Sequence, residues 1–238
     1  MSTVAVVGAR YLSTKYETEA LAEYNGKSFL WWAIHHAVKL NFADRIAVAA
    51  SDNTIVKYAE QFPGVEIEIM PYGPCATEKI YRYYTNHRFF DYYISWPASE
   101  TSLSPKEINT LWPTVEEYLK NNPYEIATIY SKFYSREDLE TSSSCKVVAS
   151  HDNHALYFSR NVIPVSEEGY IKELELYKKH IGLFVFTSQY LSKHGAELWF
   201  NWDSFAQEHE GLEQNRFVDY GTPTKLFEID TSNKLDST

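Results

Sequence analysis

Apolar residues in the first half of the chain fall into short runs that alternate with segments of helical period. Val4 to Val7 is a β-branched run that stops at Gly8-Ala9-Arg10, and it predicts a buried strand. Lys27 to Lys39, carrying Trp31, Trp32, Ile34 and Val38, reads as a helix. Arg45 to Ala50 is the next strand. Ser51-Asp52-Asn53 then offers capping oxygens for a helix through Gln61, which Pro63-Gly64 ends. Val65 to Ile69 alternates as a strand, Thr77 to His87 takes a helical period, and Tyr92 to Trp96 is a strand closed by Pro97. Ser104 followed by Pro105 marks the start of a helix to Lys120, because proline is pre-shaped for the first helical position and loses no bond there. Ile126 to Tyr130 is a further strand. This alternation predicts βαβ units and an α/β fold with a mostly parallel, Rossmann-like central sheet flanked by helices. Ligands of such sheets sit outside the carboxyl ends of the strands. The loops in question are Gly8 to Lys15, Ser51 to Thr54, Gly73 to Lys79 and Pro97 to Thr101.

The second half is less regular. Lys146 to Val148 and Ala155 to Phe158 pattern as a strand pair joined at His151-Asp152-Asn153-His154, and Ile181 to Phe186 as a buried strand. Ser188 to Leu198 and Ser204 to Tyr220 read as helices. No repeat and no long linker divides the chain, so one domain over residues 1–238 is expected. No stretch approaches the roughly 18 to 20 apolar residues of a membrane span. Met1 to Val7 lacks the basic start of a secretory signal, so a cytoplasmic protein is expected.

Two cysteines, Cys75 and Cys145, without a CxxC pair point away from a disulfide scaffold or zinc site and toward a reducing compartment. The net charge of −10 argues against wrapping a nucleic-acid backbone, which needs a basic face. It leaves open the binding of a single nucleotide, for which a local cationic pocket suffices.

The loop Gly8 to Lys15 offers backbone N–H groups and two cations, Arg10 and Lys15, directly after a strand; arginine grips phosphate with a fork and lysine as a point charge. It carries neither the dinucleotide glycine pattern nor the P-loop lysine, so by itself it also suits a solvated surface loop. Other segments change its meaning. Gly8-Ala9-Arg10-Tyr11-Leu12-Ser13-Thr14-Lys15 resembles the Pro-Ala-Arg-Tyr-x-Ser-x-Arg opening of the CMP-Kdo synthetases, the 3-deoxy-manno-octulosonate cytidylyltransferases. Asn25-Gly26-Lys27-Ser28 resembles that family's Gly-Lys-Pro step into its first helix, and Ala43 to Asp52 its second strand and turn. Cys145-Lys146-Val147-Val148 followed by Ala155 to Pro164 is similar to its Val-Lys-Val-Val and Ala-Leu-Tyr-Phe-Ser-Arg-x-x-Ile-Pro. Lys179 to Phe184 resembles its Arg-His-Leu-Gly-Ile-Tyr, and Leu212 to Arg216 its Leu-Glu-Gln-Leu-Arg. The segments keep the family's order over nearly the whole chain.

The resemblance implies a nucleotide-diphospho-sugar transferase type of fold, with residues 1–135 binding nucleotide and residues 136–238 forming a smaller mixed region for sugar binding and dimerisation. It implies a homodimer that takes CTP, or another NTP, and a sugar acid, with Mg²⁺ as cofactor. The expected chemistry is attack of the sugar's anomeric hydroxyl on the α-phosphate with loss of pyrophosphate. Catalysis is then positioning and neutralisation of phosphoryl charge. Carried over residue by residue, the resemblance puts Arg10, Lys15 and Glu100 in catalysis. It puts Gly8, Ala9, Arg10, Ser13, Lys15, Cys75, Lys79, Ala98 and Ser99 around the nucleotide. Arg160, His180, Phe184, Glu213 and Gln214 fall around the sugar acid, and Glu100 and Asp230 on the metal. An ion pair for Arg160, a core position for His180 and a capping role for Asp230 are the plainer alternatives.

Departures gather on the nucleotide side. Glu19 stands where the family has the lysine of Leu-Pro-Gly-Lys-Pro, and Cys75-Ala76-Thr77-Glu78-Lys79 replaces Ser-Gly-Thr-Glu-Arg, which reads cytosine. Ala98-Ser99-Glu100 replaces Gln-Gly-Asp, leaving a carboxylate one methylene longer. Two readings follow: an active enzyme with a remodelled nucleotide pocket, or a non-catalytic relative that binds a sugar or a partner protein.

Overall fold

The computed structural model describes residues 1–9, 20–70, 75–101, 103–167, 169, 171 and 173–232. Arg10, Ser13, Lys15 and Glu19 lie outside the described residues.

Four strands from the first half, β1 (Thr3–Ala9), the short hairpin β2 (Glu23–Tyr24) and β3 (Lys27–Ser28), and β4 (Arg45–Ala50), bracket helix α1 (Phe29–Ala37). Helix α2 (Asn53–Ala59) leads to β5 (Glu66–Ile69), α3 (Ala76–Asn86) to β6 (Tyr92–Pro97), and α4 (Pro105–Asn121) to β7 (Ile126–Lys132). Then come α5 (Arg136–Glu140), β8 (Cys145–Ala149), β9 (Ala155–Ser159), β10 (Lys178–Thr187), α6 (Ser188–Ala196), α7 (Phe205–Glu210), α8 (Asn215–Asp219) and β11 (Thr224–Glu228).

The main sheet runs β11-β7-β10-β6-β1-β4-β5, with β8 paired to β10 and β9 to β8. β1 is parallel to β4 and β6, β4 to β5, and β11 to β7, while β10 runs antiparallel to both β6 and β7. The carboxyl ends of β1, β4, β5, β6, β7 and β11 therefore share one edge. Side-chain alternation sends Ala5, Val7, Ile46, Val48, Ile94, Ile129 and Leu183 to a core shared with α1, α2 and α4. Val4, Val6, Ala47, Tyr93, Phe184 and Phe186 enter the opposite core, with α3, α6 and Phe217 of α8. On that same face Tyr130, Val147, Phe158, Leu212 and Leu226 pack together, so the β8–β9 hairpin curls over β7 and β11. Its turn closes on β11: the Leu226 amide donates to the Asn153 carbonyl at 2.8 Å.

Helices α1 and α2 start at side-chain caps: Ser28 accepts from the Trp31 amide at 3.0 Å. Asp52 accepts from the Thr54 and Ile55 amides at 2.9 and 3.0 Å. Against α3, Gly195 of α6 is a close approach: a Cβ there would lie 2.2 Å from the Tyr81 ring, so glycine sets that packing distance.

Several expectations are corrected. The helix foreseen from Lys27 begins at Phe29, because Asn25 and Gly26 both take positive φ (50° and 74°) and turn the chain into the β2–β3 hairpin. The helix foreseen over Ser204 to Tyr220 is two helices, broken where Gly211 adopts a left-handed φ of 63° and closes α7. α2 ends at Ala59 rather than Gln61. α6 ends at Ala196 and widens into a π-helical turn over Glu197–Asn201. Strand β11 has no counterpart in the pattern reading. No helix among the described residues is long and apolar enough to cross a membrane.

Candidate active site

The shared carboxyl edge brings together the nucleotide-side residues that the structure describes. Gly8 and Ala9 end β1, and Ala98, Ser99 and Glu100 follow β6. Gly8 is the Cα partner of both Ala49 and Pro97, so the three strand ends are neighbours. Glu100 is half-buried; Ala98 packs against the core below rather than outward. Lys79, in the first turn of α3, is 4% exposed and reaches back under this edge. Its ammonium donates to the Ala9 and Ala49 carbonyls at 2.7 and 3.0 Å and to Ser51 Oγ at 2.6 Å. Cys75 precedes α3 without capping it, and burial, then the Glu213 carboxylate, pushes its thiol well above the ordinary range. It is a small, half-buried group, not a nucleophile.

The cap that Cys75 does not supply comes from across the fold. Glu213 accepts from both the amide and the hydroxyl of Thr77, at 3.1 and 3.0 Å. Trp199 Nε1 donates to the same hydroxyl at 3.1 Å. Glu213 thus joins the second half of the chain to the start of α3, where a negative charge suits the helix terminus.

His180 and Gln214 form one buried relay. Thr128 Oγ1 donates to the Leu183 carbonyl at 2.6 Å, so its 2.9 Å contact with His180 Nε2 has the imidazole as donor. That fixes the tautomer: Nδ1 is an acceptor, and Gln214 Nε2 donates to it at 3.4 Å and to Cys145 Sγ at 3.2 Å. Burial lowers the His180 pKa to about 3. Phe184 is 1% exposed and packs on Phe217 and Phe186 beside this relay, so its ring serves the core and offers no face to a ligand.

Arg160, at the end of β9, directs its guanidinium to backbone. Nε donates to the Glu210 carbonyl at 2.9 Å, Nη1 to Ser142 at 2.9 Å and Nη2 to Gly211 at 3.3 Å. The Glu210 carboxylate in turn takes the Arg160 amide at 3.0 Å and Ser159 Oγ at 2.8 Å. Arg160 is therefore a clamp on the segment that carries Glu213 and Gln214. Sequence pattern gives no signal for Glu210, nor for Asn215, whose amide pairs with both the N–H and C=O of Phe158 at 3.1 and 2.9 Å. Both belong to a segment read as uninterrupted helix, which hid their orientation.

Asp230, just past β11, is exposed. The Ser232 amide at 2.8 Å and then the Tyr134 hydroxyl at 2.8 Å hold its carboxyl below the ordinary range. It and Glu100 are both oxygen donors on the same edge, the donor type that Mg²⁺ prefers. Their strands stand three spacings apart in the sheet, about 14 Å between axes. Among the described residues one grouping of three ligating side chains occurs, Glu66, Glu68 and His87. It lies at the β5 margin, where Glu66 already pairs with Arg45 at 2.7 Å.

The buried histidines give a pH prediction. His180 and His36, the latter lowered by burial to about 4, stay neutral in the fold but take up protons when the chain unfolds. Stability is then present in full above about pH 6.5 and falls as pH drops toward 4, by about 1.4 kcal/mol per pH unit for each excluded proton. The urea midpoint is expected to be lower at pH 5 than at pH 7, and His180→Gln to narrow that gap. An identical gap in the variant would remove His180 from the effect.

Comparison with known proteins meets this geometry. A family profile described as cytidylyltransferase matches residues 4–227. A 3-deoxy-manno-octulosonate cytidylyltransferase of Fusobacterium nucleatum is 27% identical, over 99% of this chain and 95% of its own length. One of Parabacteroides distasonis is 28% identical, over 95% and 89%. Among solved structures, a CMP:2-keto-3-deoxy-manno-octonic acid synthetase complexed with CTP superposes with a TM-score of 0.79 at 23% identity, covering 99% of this chain and 93% of that one. A 4-diphosphocytidyl-2C-methyl-D-erythritol synthase from Anaerococcus prevotii shares the fold more loosely, with a TM-score of 0.58 at 11% identity. The mostly parallel sheet, its loaded carboxyl edge and a match over almost every residue lead to one conclusion: the chain belongs to the cytidylyltransferase family.

Proposed function

We propose that this protein transfers CMP from CTP to an acidic 2-keto sugar of the 3-deoxy-manno-octulosonate type, releasing pyrophosphate. The observation that carries the reading is the family match over residues 4–227 together with relatives of that activity aligned along nearly their whole length. In the reaction the anomeric hydroxyl of the sugar forms a bond to the α-phosphorus while the bond to the β-phosphate oxygen breaks. Gly8 and Ala9 offer backbone at the nucleotide edge, with Arg10, Ser13 and Lys15 the residues that follow; Cys75, Lys79, Ala98 and Ser99 border it. Glu213 and Gln214, steadied by Arg160, border the sugar side with His180. Glu100 and Asp230 would hold Mg²⁺, which when bound supplies positive charge to the phosphate oxygens. A cytoplasmic setting fits a reaction that consumes CTP. A homodimer is part of the same reading, and the outer edge of β9, where Leu156 is 53% exposed and Tyr157 39%, is the surface we assign to it.

The test is pyrophosphate release with CTP, 3-deoxy-manno-octulosonate and Mg²⁺. Release that requires all three is expected. Folded protein that stays silent across the four NTPs and a panel of 2-keto sugar acids would instead support a non-catalytic relative.

A further inference from the structure

Lysine is out of place in the first turn of a helix, where the exposed N–H groups favour anions. Lys79 occupies that position in α3, and it is also 4% exposed, so its charge has to be satisfied inside the protein. Among the described residues three oxygens do this: the carbonyls of Ala9 and Ala49 at 2.7 and 3.0 Å, and Ser51 Oγ at 2.6 Å. An ammonium has three protons, and each has an acceptor here. The acceptors belong to the last residue of β1, the penultimate residue of β4 and the turn that follows β4. The side chain runs against the end of β1: a Cβ at Gly8 would lie 3.6 Å from Lys79 Cδ, an ordinary contact distance. The Ala9 carbonyl also accepts the Ser51 amide at 3.2 Å, so Lys79 and Ser51 meet on one oxygen.

We propose that Lys79 is a positioning residue: its ammonium ties the ends of β1 and β4 together beneath the nucleotide site and takes no part in reading the base. A guanidinium could not replace it. Three acceptors converging on one nitrogen suit a compact ammonium, whereas arginine spreads its donors around a plane. The catalytic part of this inference rests on the cytidylyltransferase reading; the structural part does not.

The experiment uses the full chain with Lys79→Met, which keeps length, and Lys79→Arg, which keeps charge should the methionine variant fail to fold. In the nucleotide-free protein, amide hydrogen exchange at Ser51 is expected to accelerate in both variants, because the shared Ala9 oxygen loses its second tether. With CTP and UTP as alternative substrates, KM is expected to rise for both by a similar factor, roughly tenfold or more, since small displacements at a site carry large penalties. The ratio of kcat/KM for CTP over UTP is expected to stay within about twofold of the parent, as the base contacts are untouched. Unchanged Ser51 exchange in the variants would overturn the proposal, as would a collapse of the CTP/UTP ratio with KM for UTP unaltered. A parent protein inactive with every nucleotide would count against the proposed function alone, because the exchange measurement still decides the structural claim.

Discussion

Lys146→Met is expected to lower the unfolding free energy by about 3 kcal/mol, because a buried acceptor that loses its donor costs roughly 1–3 kcal/mol. For a chain of this size that corresponds to a fall of about 6–12 °C in the unfolding midpoint. Lys146 is completely enclosed, and its Nζ donates to the carbonyls of Thr141, Ser144 and Arg160 at 2.6, 2.9 and 2.8 Å. Burial holds its pKa below the ordinary lysine value, so the charge itself is not what the fold gains; the three donated bonds are. Methionine fills most of the same volume and donates nothing, which isolates those bonds from packing. The loss should reach the sugar side as well. The Arg160 carbonyl is one of the three acceptors, and the Arg160 guanidinium clamps the Glu210–Gly211 backbone ahead of Gln214. Urea unfolding and sugar KM on the same variant check both statements. A variant as stable as the parent would mean that the three carbonyls find other donors.

In the first half the pattern of residues was enough to find the main-sheet strands and the helices between them, though not the β2–β3 hairpin, since the apolar runs end at breakers. β4 has the bounds read from sequence, Arg45 to Ala50, because a β-branched and alanine run between Asp44 and Ser51 can only be buried on both faces. β11 was not legible. Thr224-Lys225-Leu226-Phe227-Glu228 has two large apolar residues, and it becomes a strand by pairing with β7 in a register set by the whole fold, Thr224 against Ile126. The Asn25-Gly26 turn was written in the sequence as a hairpin signal, but the aromatic residues after it carry a helical period that draws the helix start too early. Gly211 shows the converse: a single left-handed residue divides what periodicity joins.

The candidate site was legible as a list of residues and not as their contacts. Motif order leads to Lys79, Arg160, His180, Glu213 and Gln214, yet where a flexible lysine or arginine sends its charge depends on which carbonyls the folded chain leaves unpaired. Lys79 and Arg160 both turn inward to backbone oxygens. His180 turns from a hydroxyl reader into the middle of a relay because Thr128, two residues along β7 from the Tyr130 that His180 faces, has already given its proton to Leu183. Glu213 caps a helix 136 residues away in sequence, a relation no local pattern contains.

Glu100→Gln is expected to lower turnover by about a hundredfold to a thousandfold, the range seen when one group that stabilises developing charge is removed. Glu100 follows β6, whose neighbour β1 ends at Gly8 and Ala9, so it stands at the strand ends proposed above to take the nucleotide. Glutamine keeps the size and removes the charge, and since Glu100 sits in a half-buried loop outside the sheet, the unfolding midpoint should move little. The Mg²⁺ dependence should weaken along with turnover, because a hard cation gains far more from a carboxylate than from an amide oxygen. Glu100→Asp sharpens the test. Ser99 replaces the glycine of the resembling family, and with a side chain at that position the loop can sit farther from the edge, a distance the extra methylene of glutamate makes up. If the loop is adapted to glutamate, aspartate falls short and activity drops; if glutamate is only tolerated, aspartate raises activity. A Glu100→Gln protein with the parent's rate and the parent's Mg²⁺ dependence would take this residue out of the mechanism and leave Asp230, alone on the far strand, as the acid to examine next.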